Sequence, residues 1–479
     1  MGPYRAVKKI DKKVELKRHF DELAPRRAKW RERGRYYHKE IERYLKFLIP
    51  EGASVLEIGC ATGDLLAALR PGRGVGVDIS PRMVEEAQKK YPHLEFKVDD
   101  LENLTIQEKF DYVLVMDTIG HVDDIQEAFK QLHKVCKPET RVIIGYYNYF
   151  WVPVIKAAEA LGLMMPQRLQ HWLPLEDIAN LLYLEDFEVI KKGYRTLLPV
   201  YIPLISSFFN RFLANMPFFW KLALNEIIVA RPIRLRKEPR EVTCSVVIPC
   251  RNEKGNIEAA VKRLPKLGKH TEIIFVEGGS TDGTYEECLR VQRAYPHLDI
   301  TVLKQDGVGK GDAVRKGFGA AKNDVLMILD ADLTVPPEDL PKFFNAIATG
   351  KGEFINGSRL VYQMEKHAMR FLNLLGNKFF SRAFTYLFEQ RIRDTLCGTK
   401  VLWREDYDKI SQARAYFGRI DPFGDFDLLF GAVKLARKIV EVPIRYRERA
   451  YGTTNISRFR HGVLLLRMVW LGLWKIKWI

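Results

Sequence analysis

The chain has 479 residues, 47% hydrophobic and 29% charged, with a net charge of +17. That length exceeds one core and suits two α/β domains, and the balance excludes a disordered or fibrous chain. The six cysteines are scattered with no C-x-x-C pair, which argues against a zinc site or a disulfide framework.

In chain order, residues 1–50 alternate basic, acidic and aromatic positions at helical spacing and form a helical extension. They lack the apolar core of a signal peptide, so a cytoplasmic setting is expected. Short apolar runs then alternate with helical stretches at residues 54–58, 74–77, 112–116 and 141–144, the rhythm of a parallel α/β sheet. Residues 197–220 are apolar and broken by prolines. Residues 233–240, charged and without apolar period, read as a linker. A second α/β series follows at 245–248, 272–276, 300–303 and 325–329.

The first series carries Val55-Leu56-Glu57-Ile58-Gly59-Cys60-Ala61-Thr62-Gly63, a strand entering a glycine turn before a helix. The next strand ends in Asp78, a carboxylate suited to ribose hydroxyls, and the one after in Asp99-Asp100. Residues 51–232 thereby resemble class I S-adenosylmethionine-dependent methyltransferases. The resemblance implies a Rossmann-like fold with S-adenosylmethionine held by Glu57, Gly59 and Gly63 at the methionine part and Asp78 at the ribose. Asp99 or Asp100 would take the adenine, with Asp117 at the cofactor edge. The family's Leu-Glu-His-Val reads Ile119-Gly120-His121-Val122 here, without the acid, and packing or cofactor contact is favoured over a base for His121.

In the second series, four loops follow strands in order. Pro249-Cys250-Arg251-Asn252-Glu253 and Glu277-Gly278-Gly279-Ser280-Thr281-Asp282 place polar groups and glycines at strand ends, where ligands of parallel sheets gather. Gly307-Val308-Gly309-Lys310-Gly311-Asp312-Ala313-Val314-Arg315 joins a glycine-rich backbone to two cations, which suits a polyphosphate. Its spacing is not that of a Walker loop. Asp330-Ala331-Asp332, after an apolar strand, can hold one Mg²⁺ or Mn²⁺ completed by substrate phosphates.

This pattern resembles family 2 glycosyltransferases of the GT-A fold over residues 241–466, nearest the dolichol- and polyprenyl-phosphate sugar synthases. The resemblance implies Pro249, Arg251, Glu253, Glu277 and Asp282 around the nucleoside, Lys310 and Arg315 at the diphosphate, and Asp330 and Asp332 on the metal. It also implies acceptor-side roles for Asp394 in Asp394-Thr395-Leu396-Cys397-Gly398-Thr399-Lys400 and for a base at Asp425 or Asp427. Arg445, Arg449 and Arg458 would clamp phosphate. A helix N-cap pair explains Asp425 and Asp427 equally well.

From Lys434 to Ile479, eleven Lys and Arg accompany only Glu441 and Glu448. Trp470, Trp474 and Trp478 lie among them, so residues 461–479 suit a membrane surface better than nucleic acid. The sequence-level expectation is a metal-dependent inverting glycosyltransferase acting on a nucleotide sugar (UDP or GDP) and a lipid phosphate, fused to a methyltransferase. The alternative is a methyltransferase whose second half is a non-catalytic binding or membrane-targeting module.

Overall fold

Near-continuous apolar runs such as Val-Leu-Glu-Ile and Val-Leu-Met-Ile bury both strand faces, as a parallel sheet with helices on each side requires. The computed structural model describes residues 12–166, 171, 173–359, 371–417, 425–444, 451 and 458–479, with backbone alone at 371–377, 425 and 458–461. Two units result: one runs to Ile233 and includes Trp478–Ile479, the other is Arg234–Lys477.

The first unit holds β1 (Ser54–Ile58), β2 (Arg73–Asp78), β3 (Glu95–Val98), β4 (Phe110–Met116), β5 (Cys136–Tyr147), β6 (Phe187–Arg195) and β7 (Asn225–Pro232). Their order is β3-β2-β1-β4-β5-β7-β6. Strands β1 to β5 run parallel, and β7 inserts antiparallel to both β5 and β6. The strand order reverses between β1 and β4, which opens a crevice at their carboxyl ends. Helices Lys12–Leu23, Arg27–Arg33 and Arg35–Leu48 precede the sheet, and the third buries Ile41, Tyr44, Leu45, Phe47 and Leu48.

The second unit holds β8 (Cys244–Cys250), β9 (Thr271–Glu277), β10 (Asp299–Lys304), β11 (Val325–Ile328), β12 (Phe354–Ser358), β13 (Lys400–Trp403) and β14 (Ile439–Pro443). Their order is β10-β9-β8-β11-β13-β12-β14. Only β13 is antiparallel, to β11 and β12 alike. The switch point falls between β8 and β11. Gly317 lets its helix sit on β8, because a Cβ there would come 2.4 Å from Val247 Cγ1. Of residues 233–240, read as a linker, those from Arg234 on belong to this unit. Buried Arg236 donates to Asp406 at 2.7 Å and to Glu353 at 3.1 Å.

Candidate functional site

In the first unit the turn after β1 has Gly59, Ala61 and Gly63 at φ of +76°, +46° and +74°. A Cβ on Gly59 would lie 2.1 Å from Thr118 Oγ1, so its glycine lets the loops after β1 and β4 cross. A Cβ on Gly63 would lie 2.5 Å from Phe96 Cζ. Both glycines are thus demanded by backbone and packing as much as by any ligand.

Asp78 accepts the Ala61 N–H at 2.8 Å and the Ser80 N–H at 2.9 Å, fixing the turn to the tip of β2. A carboxylate has about four lone-pair sites. Two therefore remain open to donors of a ligand. Glu57 accepts the Leu66 N–H at 3.0 Å, and burial pushes its carboxyl up to about 8. Asp99 is spent locally, accepting from the Thr105 N–H and hydroxyl. Asp100 caps the turn at Glu102 and pairs with Lys13 at 2.5 Å.

Gly59, Ala61, Asp78, Asp99 and Asp100, but not Glu57 or Gly63, border one cavity of about 420 Å³, lined also by Asp117, His121, Tyr147, Trp151 and, from the N-terminal helices, Arg27, Trp30, Tyr37 and His38. Asp117 stands at φ +53°, and its Oδ1 is buried with no hydrogen-bond donor. Burial raises its carboxyl to about 6, opposed by the charge of Arg27. Burial together with the Arg31 and Arg27 charges lowers His38 to about 3, so its ring is neutral near pH 7. His121 packs edge-on against Phe20, with centroids 5.3 Å apart. The sequence reading missed the contribution of residues 13–38. The one available signal was the aromatic and basic helical rhythm of that stretch.

In the second unit, the loops after β8 and β9 are tied together. Asn252 accepts the Thr281 N–H at 2.9 Å, and Asp282 accepts from the Thr284 N–H and the Lys254 N–H. Glu277 takes the Ser280 N–H at 2.5 Å, and Glu253 takes the Asn256 amide at 2.7 Å. Pro249 lies within β8, and Arg251 is exposed just beyond it.

At the end of β11, Lys310 Nζ sits 2.6 Å from Asp330 Oδ1. Asp332 accepts the Thr334 N–H and hydroxyl. Gly398 closes over this pair: a Cβ there would meet Asp330 Oδ2 at 1.9 Å and Lys310 Nζ at 2.4 Å. The Asp330 loop, the Lys310 loop and the 394–400 segment thus meet at one point. Among the described residues no group of three His, Cys, Asp or Glu could hold a metal alone. A pair of carboxylates completed by substrate phosphates fits Mg²⁺ or Mn²⁺ all the same. Such a cation would supply neutralisation of charge on a departing diphosphate.

Asp394 is placed differently from a substrate-touching acid. Its buried carboxylate takes a fork from Arg359, at 2.7 Å from Nε and 2.9 Å from Nη2, plus the Leu396 N–H. Arg359 and the other contacts hold it below the usual carboxylate range, although burial, the largest influence, opposes this. Lys400 is buried and donates to the Cys397 carbonyl. Asp427 pairs with Arg414 at 2.6 Å, and Arg315 lies 3.9 Å from Asp312. Asp425 opens its helix, with its side chain outside the described residues. Arg445, Arg449 and the Arg458 side chain are outside them too.

Residues 245–410 match the family model of glycosyl transferase family 2, and residues 29–192 match that of a methyltransferase domain. A segment that matches a methyltransferase domain is thus followed in the chain by one that matches glycosyl transferase family 2. The second domain is similar to the dolichol-phosphate mannosyltransferase of Pyrococcus furiosus, 30% identical over 219 residues, which is 44% of this chain and 59% of that protein. It is also similar to the dolichol-phosphate mannosyltransferase of Saccharomyces cerevisiae, 38% identical over 108 residues, 22% of this chain and 40% of that one. The chain thus spans about half the length of these relatives. A methyltransferase structure from Thermotoga maritima aligns at 20% identity and a TM-score of 0.37, covering 46% of this chain and 100% of that one.

Proposed function

We propose that the second domain transfers a sugar from a nucleoside-diphosphate donor to a polyprenyl phosphate, and that the first methylates an acceptor with S-adenosylmethionine. The observation that carries the first half is the meeting of Asp330, Lys310 and Gly398 at the switch point between β8 and β11. Glu253, Glu277 and Asp282 would hold the nucleoside, with Pro249 and Arg251 at its edge. Lys310 and Arg315 would face the diphosphate, while Asp330 and Asp332 hold Mg²⁺ or Mn²⁺. A phosphate acceptor is already ionised, so attack needs no base. Asp394 and Asp427, committed to Arg359 and Arg414, would position rather than abstract a proton.

In the first domain Asp78 would take the ribose and the unpartnered Oδ1 of Asp117 the cofactor's ammonium. Transfer would rest on aligning two reactants in line. The similarity to dolichol-phosphate mannosyltransferases supports a lipid phosphate acceptor. So does a stripe of exposed Val463, Leu466, Trp470 and Trp474 beside Arg467, suited to the plane of a membrane surface. No helix among the described residues is long and apolar enough to cross a membrane.

The test is sugar transfer into polyprenyl phosphate from UDP- and GDP-sugars with Mg²⁺ or Mn²⁺, comparing the full chain with its Asp330→Asn and Asp332→Asn variants. Loss of at least about a hundredfold in the variants, with S-adenosylmethionine binding intact, is the expected result. Unchanged transfer in both would remove the assignment.

A further inference from the structure

The first domain carries a surface built inside out. In helix Ile205–Arg211 two polar residues point inward, Ser206 and Asn210 at 0% and 4% exposed, while Ser207 and Arg211 face out. Asn210 Oδ1 accepts the Leu197 and Leu198 N–H groups, both at 2.8 Å, and Ser206 Oγ donates to the Val200 carbonyl at 2.7 Å. The apolar side chains of that helix, Ile205, Phe208 and Phe209, are exposed.

On either side of it stand Leu204 and Phe218, 89% and 72% exposed at φ of +63° and +77°. Bulky residues are uncommon in that conformation and cost strain, which points to a use. An amphipathic helix facing water alone would turn the other way. A soluble monomer rarely shows so continuous an apolar face.

The same stretch forms a ledge that reaches the cavity at Pro199 and Val200. Val200, Val154 and Leu163 are exposed and also line it, so the cavity of about 420 Å³ opens within the apolar surface. Residues 197–224 hold no Asp or Glu, while Arg211 and Lys221 are exposed among them. That charge suits anionic head groups, with apolar side chains reaching roughly 5–10 Å into the boundary.

We propose that the methyltransferase domain docks on an anionic lipid surface and methylates the polar head of an amphiphile whose apolar chain lies on this ledge. The inference rests on the methyltransferase reading of the first domain. The head's nucleophilic oxygen or nitrogen forms a bond to the methyl carbon. The carbon–sulfur bond breaks with its electron pair going to sulfur, and the nucleophile's proton leaves to water.

The test uses the full chain with phosphatidylcholine vesicles, with and without phosphatidylglycerol, and the triple variant Leu204→Ser, Phe208→Ser, Phe218→Ser. The variant is expected to partition onto anionic vesicles at least about tenfold more weakly, from the apolar area withdrawn. It should keep the S-adenosylmethionine-induced rise in melting temperature. Vesicles should also slow amide exchange across residues 197–218 of the unaltered chain, which decides the matter if the variant does not fold. Label from methyl-tritiated S-adenosylmethionine should enter the organic phase when a total lipid extract is supplied.

Partitioning within twofold of the unaltered chain would overturn the proposal, as would absence of exchange protection. So would label entering only water-soluble extract, or a concentration-dependent dimer that the triple variant abolishes. Absence of any S-adenosylmethionine response in the unaltered chain refutes the methyltransferase reading instead, and vesicle partitioning still decides the ledge.

Discussion

Adding a single methyl group at Gly398 tests whether the three loops of the second domain form one site. Its Cβ would stand 1.9 Å from Asp330 Oδ2 and 2.6 Å from Asp330 Cγ, where real Cβ contacts essentially never fall below 3.0 Å. The Lys310 ammonium, at 2.4 Å, ends a flexible chain and can swing aside. Asp330 follows Leu329, which is hydrogen-bonded to Val247 just past β11, so it cannot retreat by the required distance, about 1 Å, without turning its carboxylate. Overpacking of this kind costs about 1–3 kcal/mol of stability. Misplacing a reacting group by about 1 Å costs on the order of a hundredfold in rate.

Gly398→Ala is therefore expected to lower sugar transfer about a hundredfold. The melting temperature of the second domain should fall by only a few degrees. S-adenosylmethionine binding by the same protein, read as a thermal shift, should be unchanged, because Gly398 lies in the second unit. Sugar transfer within about twofold of the unaltered chain would refute the reasoning, since the 394–400 segment would then not press on the carboxylate.

Asp394→Asn breaks the buried fork to Arg359 and should destabilise the second domain by about 3 kcal/mol in denaturant unfolding, the usual cost of leaving one partner of a buried pair alone. Gly63→Ala, at φ +74° and against Phe96, should weaken S-adenosylmethionine binding by about tenfold or more in calorimetry, while sugar transfer stays unchanged. The buried carboxyls Glu57, Glu226 and Asp117 are raised by burial to about 8, 7 and 6. A group raised in the folded state adds stability below its folded value and loses it as pH rises through that value. Asp117→Asn should therefore flatten the pH dependence of the first domain's melting temperature between about pH 4 and 6 and raise its stability at pH 8 relative to the unaltered chain. A melting curve against pH for both proteins checks the sign.

Local sequence settled much of this molecule. Short apolar runs alternating with helical stretches read as strands, so β1, β2, β4, β5, β8, β9, β10 and β11 were legible, with Asp78, Glu277 and Asp330 at or just beyond the ends of theirs. Strands β6, β12, β13 and β14 were not named in advance. Their hydrogen-bond partners lie far away in the chain, as in the pairing of Val325 with Trp403, and short apolar segments carry no record of register.

Side-chain partnership was equally hidden. Asp394 has the same sequence setting whether it meets a substrate or Arg359, and only the fold brings that guanidinium to 2.7 Å. Tyr37, His38 and Arg27 read only as part of a helical extension until packing sets them against the cavity beside Asp117. Sequence alone therefore determined two tandem α/β sheets and which loops carry glycines and acids, because strand periodicity and glycine conformations are local properties. Tertiary structure decided which carboxylates are spent on arginines and how Gly398 reaches Asp330. It also turned apolar side chains of residues 200–218 outward while their polar neighbours face in, because those outcomes depend on contacts between distant residues.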